Sequence, residues 1–102
     1  MESVITRVVV NDGSESEWEA VMRDRMTAAE SSSGWIGGAI LTPQGEANAR
    51  LIVGLWETRD AWKRWHDDPA FHDTAEQLKG LESDAGTPAW HAVSYAGGRF
   101  HA

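Results

Sequence analysis

The stretch Leu51 to Trp56, LIVGLW, is apolar on both sides of a strand. Successive side chains of a strand point to opposite faces, so Leu51, Val53 and Leu55 share one face while Ile52 and Trp56 share the other. The first strand candidate, Val4 to Val10 (VITRVVV), repeats the pattern, with Val4, Val8 and Val10 opposing Ile5 and Val9. A sheet covered on one side alternates apolar and polar residues. These strands do not, so a fold that covers only one sheet face would leave apolar surface in water.

The rest of the chain supplies too few helices to cover both faces. Val4–Val10 stops at the turn signal Asn11-Asp12-Gly13. Ser14 and Glu17 then make a capping-box pattern, and Trp18, Val21, Met22, Met26 and Ala29 recur behind it at helical spacing. Glu15, Glu19, Arg23 and Asp24 fall toward solvent, and Ser31-Ser32-Ser33-Gly34 ends the helix. Strands are expected over Trp35–Thr42 and Ala49–Glu57, joined by the turn Pro43-Gln44-Gly45. The pair Gly37-Gly38 reads as a bulge or a close backbone approach. Helical segments follow over Arg59–His66 and Pro69–Leu81, the second capped by Asp68 with Pro69 at its first position. After a loop through Gly86 and Pro88, Ala89–Ala96 is the last strand. A single domain over residues 1–97 with a tail over 98–102 is expected.

The order strand, helix, strand, strand, helix, strand is the split βαβ arrangement. It defines an α+β class, a ferredoxin-like βαββαβ fold with helices on one face of an antiparallel sheet. The simplest cover for the other face is a second copy of the same sheet. A homodimer is therefore expected, its two sheets face to face around an apolar chamber beside the tryptophans.

Charge and composition narrow the partners. Sixteen acidic against nine basic residues leave a net charge of −7 in 102 residues. Nucleic-acid binders concentrate Lys and Arg, and anionic membrane surfaces attract them, so neither partner is expected. The absence of cysteine excludes a thiol nucleophile and Cys-ligated metal. No apolar run approaches the ~20 residues that span a bilayer, and the acidic N-terminus lacks a signal-peptide pattern, so a cytoplasmic protein is expected. His66 and His72 lack the i, i+4 spacing of a metal pair, and no metal is expected. Three of the six tryptophans, Trp56, Trp62 and Trp65, fall within ten residues of one strand-to-helix junction. Indoles are costly to leave in water and usually need a partner for the N–H. Such a cluster is either an aromatic core or the wall of a pocket for a hydrophobic or aromatic small molecule.

The segments GWIGGAIL at Gly34–Leu41, LIVGLWETRDAW at Leu51–Trp62 and DPAFH at Asp68–His72 resemble the antibiotic biosynthesis monooxygenase family. The resemblance implies a dimeric α+β barrel. It also implies a range of activities, from cofactor-independent oxygenation of aromatic compounds to oxidative haem degradation, alongside roles with small signalling molecules. In the haem-degrading branch the site is an Asn on the first strand, a Trp before the helix break and a His five residues after the proline. Here these positions hold Thr6 or Arg7, Trp65, and Thr74. His72 stands two residues before Thr74, about 200° around the helix, so the haem route is disfavoured and no cofactor is expected. In the aromatic-substrate branch an Asn and a Trp lie four residues apart on the third strand. Trp56 matches the Trp, Ile52 stands where the amide would be, and Trp62 occupies a position where a Tyr occurs.

The candidate site follows from both readings. Trp56, His72 and His91 are the candidate catalytic residues, with His72 or His91 as the general base. Trp35, Trp62, Trp65, Arg7, Ile52 and Thr74 are the candidate substrate contacts. Each has a plainer alternative: Trp56 and Trp62 as core, His72 as a surface histidine, His66 as a solvated or capping residue. Arg7, in the middle of an apolar strand, either pairs with an acid across the dimer or grips an anionic substrate group. The functions that stay open are a cofactor-independent monooxygenase acting on a small aromatic or quinol-like substrate, a non-catalytic small-molecule-binding module, and a haem degrader with an altered ligand.

Overall fold

The β-branched run at the N-terminus forms β1 (Glu2–Val10), the central strand. In the computed structural model, which describes residues 1–98, it is followed by α1 (Glu15–Ala29), β2 (Trp35–Leu41) and β3 (Ala49–Trp56). Then come α2 (Arg59–His66), α3 (Pro69–Leu78), β4 (Glu82–Asp84) and β5 (Ala89–Ala92). The antiparallel sheet runs β2-β3-β1-β4, and β5 pairs with β1 on the same side as β4. This is the expected ferredoxin-like α+β fold, and the expected helices pack on one face of the sheet. Of the expected tail, residues 99–102 lie outside the described residues.

Register fixes which side chains meet the helices. Val4, Thr6 and Val8 of β1 pair with Gly54, Ile52 and Arg50 of β3. Paired residues share a face, so these six and Trp56 look toward the helices, as the alternation predicts. Ile5, Arg7 and Val9 look the other way with Leu51, Val53 and Leu55. Among the described residues no helix covers that face; Ala96, Gly97 and Gly98 border it beside Val53 and Leu55, and Ile36 and Leu41 of β2 stand nearly half exposed there.

Three expectations about local structure need correction. Ser14 stands at the N-cap of α1, but its ψ of 4° turns the chain toward the helix too early for the hydroxyl to cap it, and no side-chain cap bond forms. The last strand is not one run over Ala89–Ala96. It is split into β4, in a segment read as loop, and a shorter β5. The chain between them swings past the middle of β1. Gly86 has φ +70°, and a Cβ there would collide with the Arg7 carbonyl oxygen. Only glycine takes that conformation and that approach together. The other caps are made as expected or better: Asp68 accepts from the Ala70 N–H at 2.8 Å, and Thr58 does the same for Ala61 at 3.1 Å. Helix α3 stops at Leu78, three residues early, just before Gly80.

The Gly37-Gly38 pair does both things expected of it. Register slips between Trp35 and Gly37, leaving Ile36 as an extra residue, and Trp35 comes to lie over the sheet. A Cβ on Gly38 would stand 2.7 Å from the end of the Trp35 ring and 3.2 Å from the Met26 methyl. The missing side chain is what lets an indole and a thioether share that floor.

The core has two parts. Val8, Val10, Trp18, Val21, Met22, Leu78 and Leu81 form one buried cluster. Val4, Ala29, Trp56, Ala61 and Trp65 form another, with Trp35, Trp62, Phe71 and Trp90 packed half-buried against it. Arg50 is buried between strand and helix. Its Nε donates to Glu19 at 3.2 Å, and its Nη1 donates to the Ala47 and Ala49 carbonyls at 2.7 and 2.8 Å.

Candidate functional site

Between the sheet and the helices, where the two clusters meet, lies a cavity of about 400 Å³. Ligand pockets typically span roughly 300–1,000 Å³. The tryptophans were expected beside a chamber between two sheets; the cavity they line lies instead inside a single protomer, on the helix face, because Trp56 points toward the helices. The cavity exists because large rings meet edge to face and leave space between them. Trp35 stands at 71° to Trp56 with centroids 5.1 Å apart, Trp62 at 87° to Trp90 at 4.9 Å, and Trp65 at 76° to Phe71 at 5.9 Å. Edge-to-face contact is the favoured aromatic geometry. The loop between β4 and β5 completes the wall with Ala85, Gly86 and Pro88.

Of the residues singled out in the sequence, the cavity brings together Trp35, Ile52, Trp56, Trp62 and Trp65. Trp56 is both core and wall, being 2% exposed. The other four candidates stand elsewhere. Arg7 is on the sheet face away from the helices, where it pairs with Glu46 of its own chain in an exposed ion pair. His91 pairs with Ser3 and so shares that same face. His72 is exposed on α3, a turn of about 100° away from Phe71, which points inward. Thr74 is buried beneath the cavity wall, its hydroxyl donating to the Phe71 carbonyl at 2.9 Å.

Five polar or charged side chains line the cavity instead: Thr6, Arg25, His66, Lys79 and Glu82. The His66 Nδ1 lies 2.9 Å from the Trp62 carbonyl oxygen. A carbonyl only accepts, so Nδ1 carries the hydrogen and Nε2 keeps a lone pair. The ring is stacked against Trp62 and Phe71, with centroids 3.8 and 4.0 Å away. Burial holds the imidazole below the usual histidine range, and the Arg25 charge adds to this, against the pull of the Trp62 carbonyl and Asp67. His66 is thus a neutral base at neutral pH. Asp67 and Asp68 mark His66 as a helix-end residue, but its i, i+4 spacing from Trp62 puts both rings on one side of α2.

Arg25 was passed over for a similar reason. It lies three residues after Met22 and four before Ala29, inside the apolar stripe of α1. Its guanidinium carbon stands 4.3 Å from the Phe71 ring centre, and its Nε donates to Thr74 Oγ1 at 2.8 Å. Burial lowers its pKa to about 10, with Glu82 pulling the other way, so it stays charged at neutral pH. Trp90, on β5 opposite Val4, was likewise read only as strand.

Thr74, at the position where the resemblance places the haem-iron ligand, has its hydroxyl tied to a carbonyl and to a guanidinium. Among the described residues, no group of three His, Asp or Glu side chains is placed to hold a metal ion. None of the described helices is long and apolar enough to cross a membrane.

The ferredoxin-like sheet with its helices on one face is the frame of a known group of proteins. Residues 1–77 match the antibiotic biosynthesis monooxygenase family, and the chain belongs to it. The structure is similar to that of SnoaB, a cofactor-independent oxygenase from Streptomyces nogalater, with a TM-score of 0.82 and 19% identity over 93% of this chain and 94% of that one. It is also similar to Rv0793 from Mycobacterium tuberculosis, with a TM-score of 0.81 and 13% identity over 95% and 98%. A protein from Nitrosomonas europaea bearing the same family name gives 0.85 and 10% over 93% and 100%. At such identities the likeness concerns the fold. No curated protein matches the chain significantly.

Proposed function

We propose that this protein is a cofactor-independent monooxygenase that oxidises a small aromatic, quinol-like substrate in the cavity beneath its helices. The observation that carries the reading is the neutral imidazole of His66 held in an apolar, indole-walled space. An anthrone-type ring carbon bearing two hydrogens illustrates the chemistry. His66 Nε2 takes the first proton, leaving an enolate that Thr6 stabilises. The enolate gives an electron to O₂, and recombination of the two radicals forms a carbon–oxygen bond. The peroxide takes the proton back from His66. Loss of the second ring hydrogen as a proton then breaks the O–O bond, leaving a carbonyl and one water. The substrate supplies all four electrons, so no external reductant is required. The indoles keep bulk water from the carbanion and stack on the ring.

Oxygen uptake with anthrones or hydroquinones tests this. The wild-type protein is expected to consume O₂ well above the buffer rate, and His66→Phe to lose about 100-fold of the enhancement, a typical general-base contribution. A wild-type rate equal to that of buffer, or an unaffected variant, overturns the proposal.

The sheet face that no described helix covers supports a second copy as its cover, and a dimer completes this reading. Ile5, Leu51, Val53 and Leu55 form the middle of that face, with Ile36 and Leu41 half exposed at its edge. Sedimentation is expected to give twice the protomer mass of 11.2 kDa, and Leu55→Glu to give a single protomer. A wild-type monomer at micromolar concentration rules the dimer out.

A further inference from the structure

Arg25 is a half-buried cation. Among the described residues no carboxylate oxygen lies within 4.0 Å of it. The nearest acid that influences it, Glu82, is held by another donor, the Trp18 Nε1 at 2.8 Å. A guanidinium taken out of water without a carboxylate is costly, and such groups are usually paired. One face of this one is spent on Phe71 and its Nε on Thr74. Its two terminal nitrogens have no protein acceptor among the described residues, and Arg25 lines the cavity. That end of the fork matches the two oxygens of a carboxylate, which a single phenolate oxygen does not.

We infer that Arg25 is an anchoring residue for a substrate carboxylate, so that the protein prefers hydroxylated aromatic acids to the corresponding neutral phenols. The inference rests on the aromatic-substrate reading above and narrows it. Phe71 fixes the spacing, because Arg25 and His66 both lie within 4.3 Å of its ring centre. One bicyclic ring can therefore present a carboxylate to the guanidinium and a hydroxyl to the imidazole. Thr74 acts as a positioning residue, holding Nε so that the terminal nitrogens face inward.

Binding without turnover tests this, using anaerobic isothermal titration calorimetry with hydroxynaphthoate and naphthol at neutral pH. The wild-type protein is expected to bind the acid at least about tenfold more tightly than the phenol, the scale of one charge-assisted hydrogen bond. In Arg25→Met the preference is expected to vanish while naphthol affinity is retained. In Lys79→Met, which removes the other cation on the cavity rim, the preference is expected to stay. Equal binding of acid and phenol by the wild type, or a preference that survives Arg25→Met, overturns the anchor alone. Binding of neither ligand overturns the aromatic-substrate reading, and the anchor with it.

Discussion

The two halves of the core use the same helix-facing side of the sheet in different ways. Around Trp18 the side chains are mostly aliphatic, and Trp18, Met22, Val8 and Val10 are almost wholly buried. Around Trp65 the partners are rings: Trp35, Trp62 and Phe71 are half-buried and line the cavity, and Trp90 packs edge-on against Trp62. Flexible aliphatic groups fill gaps, whereas planar rings meeting at steep angles leave them. The first half holds the fold and the second holds space.

Deleting a ring from each half is the most forceful way to break this contrast. Trp18→Ala should cost about 3–5 kcal/mol, as large aromatic truncations in solid cores do, with an added loss from leaving Glu82 without its donor. Trp62→Ala should cost about 1–2 kcal/mol, because its ring already borders a void, yet it should weaken aromatic ligands far more than Trp18→Ala does. Denaturant unfolding of both, with calorimetric binding, checks the pair; equal stability losses would erase the distinction. An effect smaller than that of Trp18→Ala is expected at the wall between the halves. Gly86→Ala should destabilise by about 1–3 kcal/mol through its positive φ and its contact with the Arg7 carbonyl, and should change ligand affinity by moving the loop.

The smallest effect sharpens the comparison through pH. Because burial lowers the His66 pKa below its unfolded value, the unfolded chain binds the proton more readily. The stability associated with neutral His66 is therefore complete above the unfolded pKa near 6.5 and is lost as pH falls through it toward the folded value. Thermal unfolding from pH 7.5 to 5.0 should show this loss in the wild type and less of it in His66→Phe. A parallel decline in both would place the proton elsewhere.

Much of the fold was legible because it rests on short-range rules. Alternation in VITRVVV groups Val4 with Val8, alternation in LIVGLW groups Ile52 with Trp56, and register brings the two groups to one face. Asp68-Pro69 marked the start of α3 to the residue. The split of the last strand was not legible, since Glu82–Asp84 carries no β-branched or aromatic signal and pairs only because β1 offers it an edge. The tryptophan wall could be read from composition and spacing. His66 and Arg25 could not, because their roles depend on Phe71 and Thr74, two side chains from another helix. A charged residue within an apolar stripe was the one available sign of Arg25.

The rings also form a continuous series. Arg59 lies over Trp90, Trp90 meets Trp62, Trp62 stacks on His66, His66 on Phe71, and Phe71 under Arg25, with no step longer than 4.9 Å between the groups. An indole pressed against an imidazole emits light that depends on that neighbour's position and protonation. Anything that enters and shifts His66 should therefore alter the glow of Trp62, so the molecule carries an unlabelled optical gauge of its own occupancy.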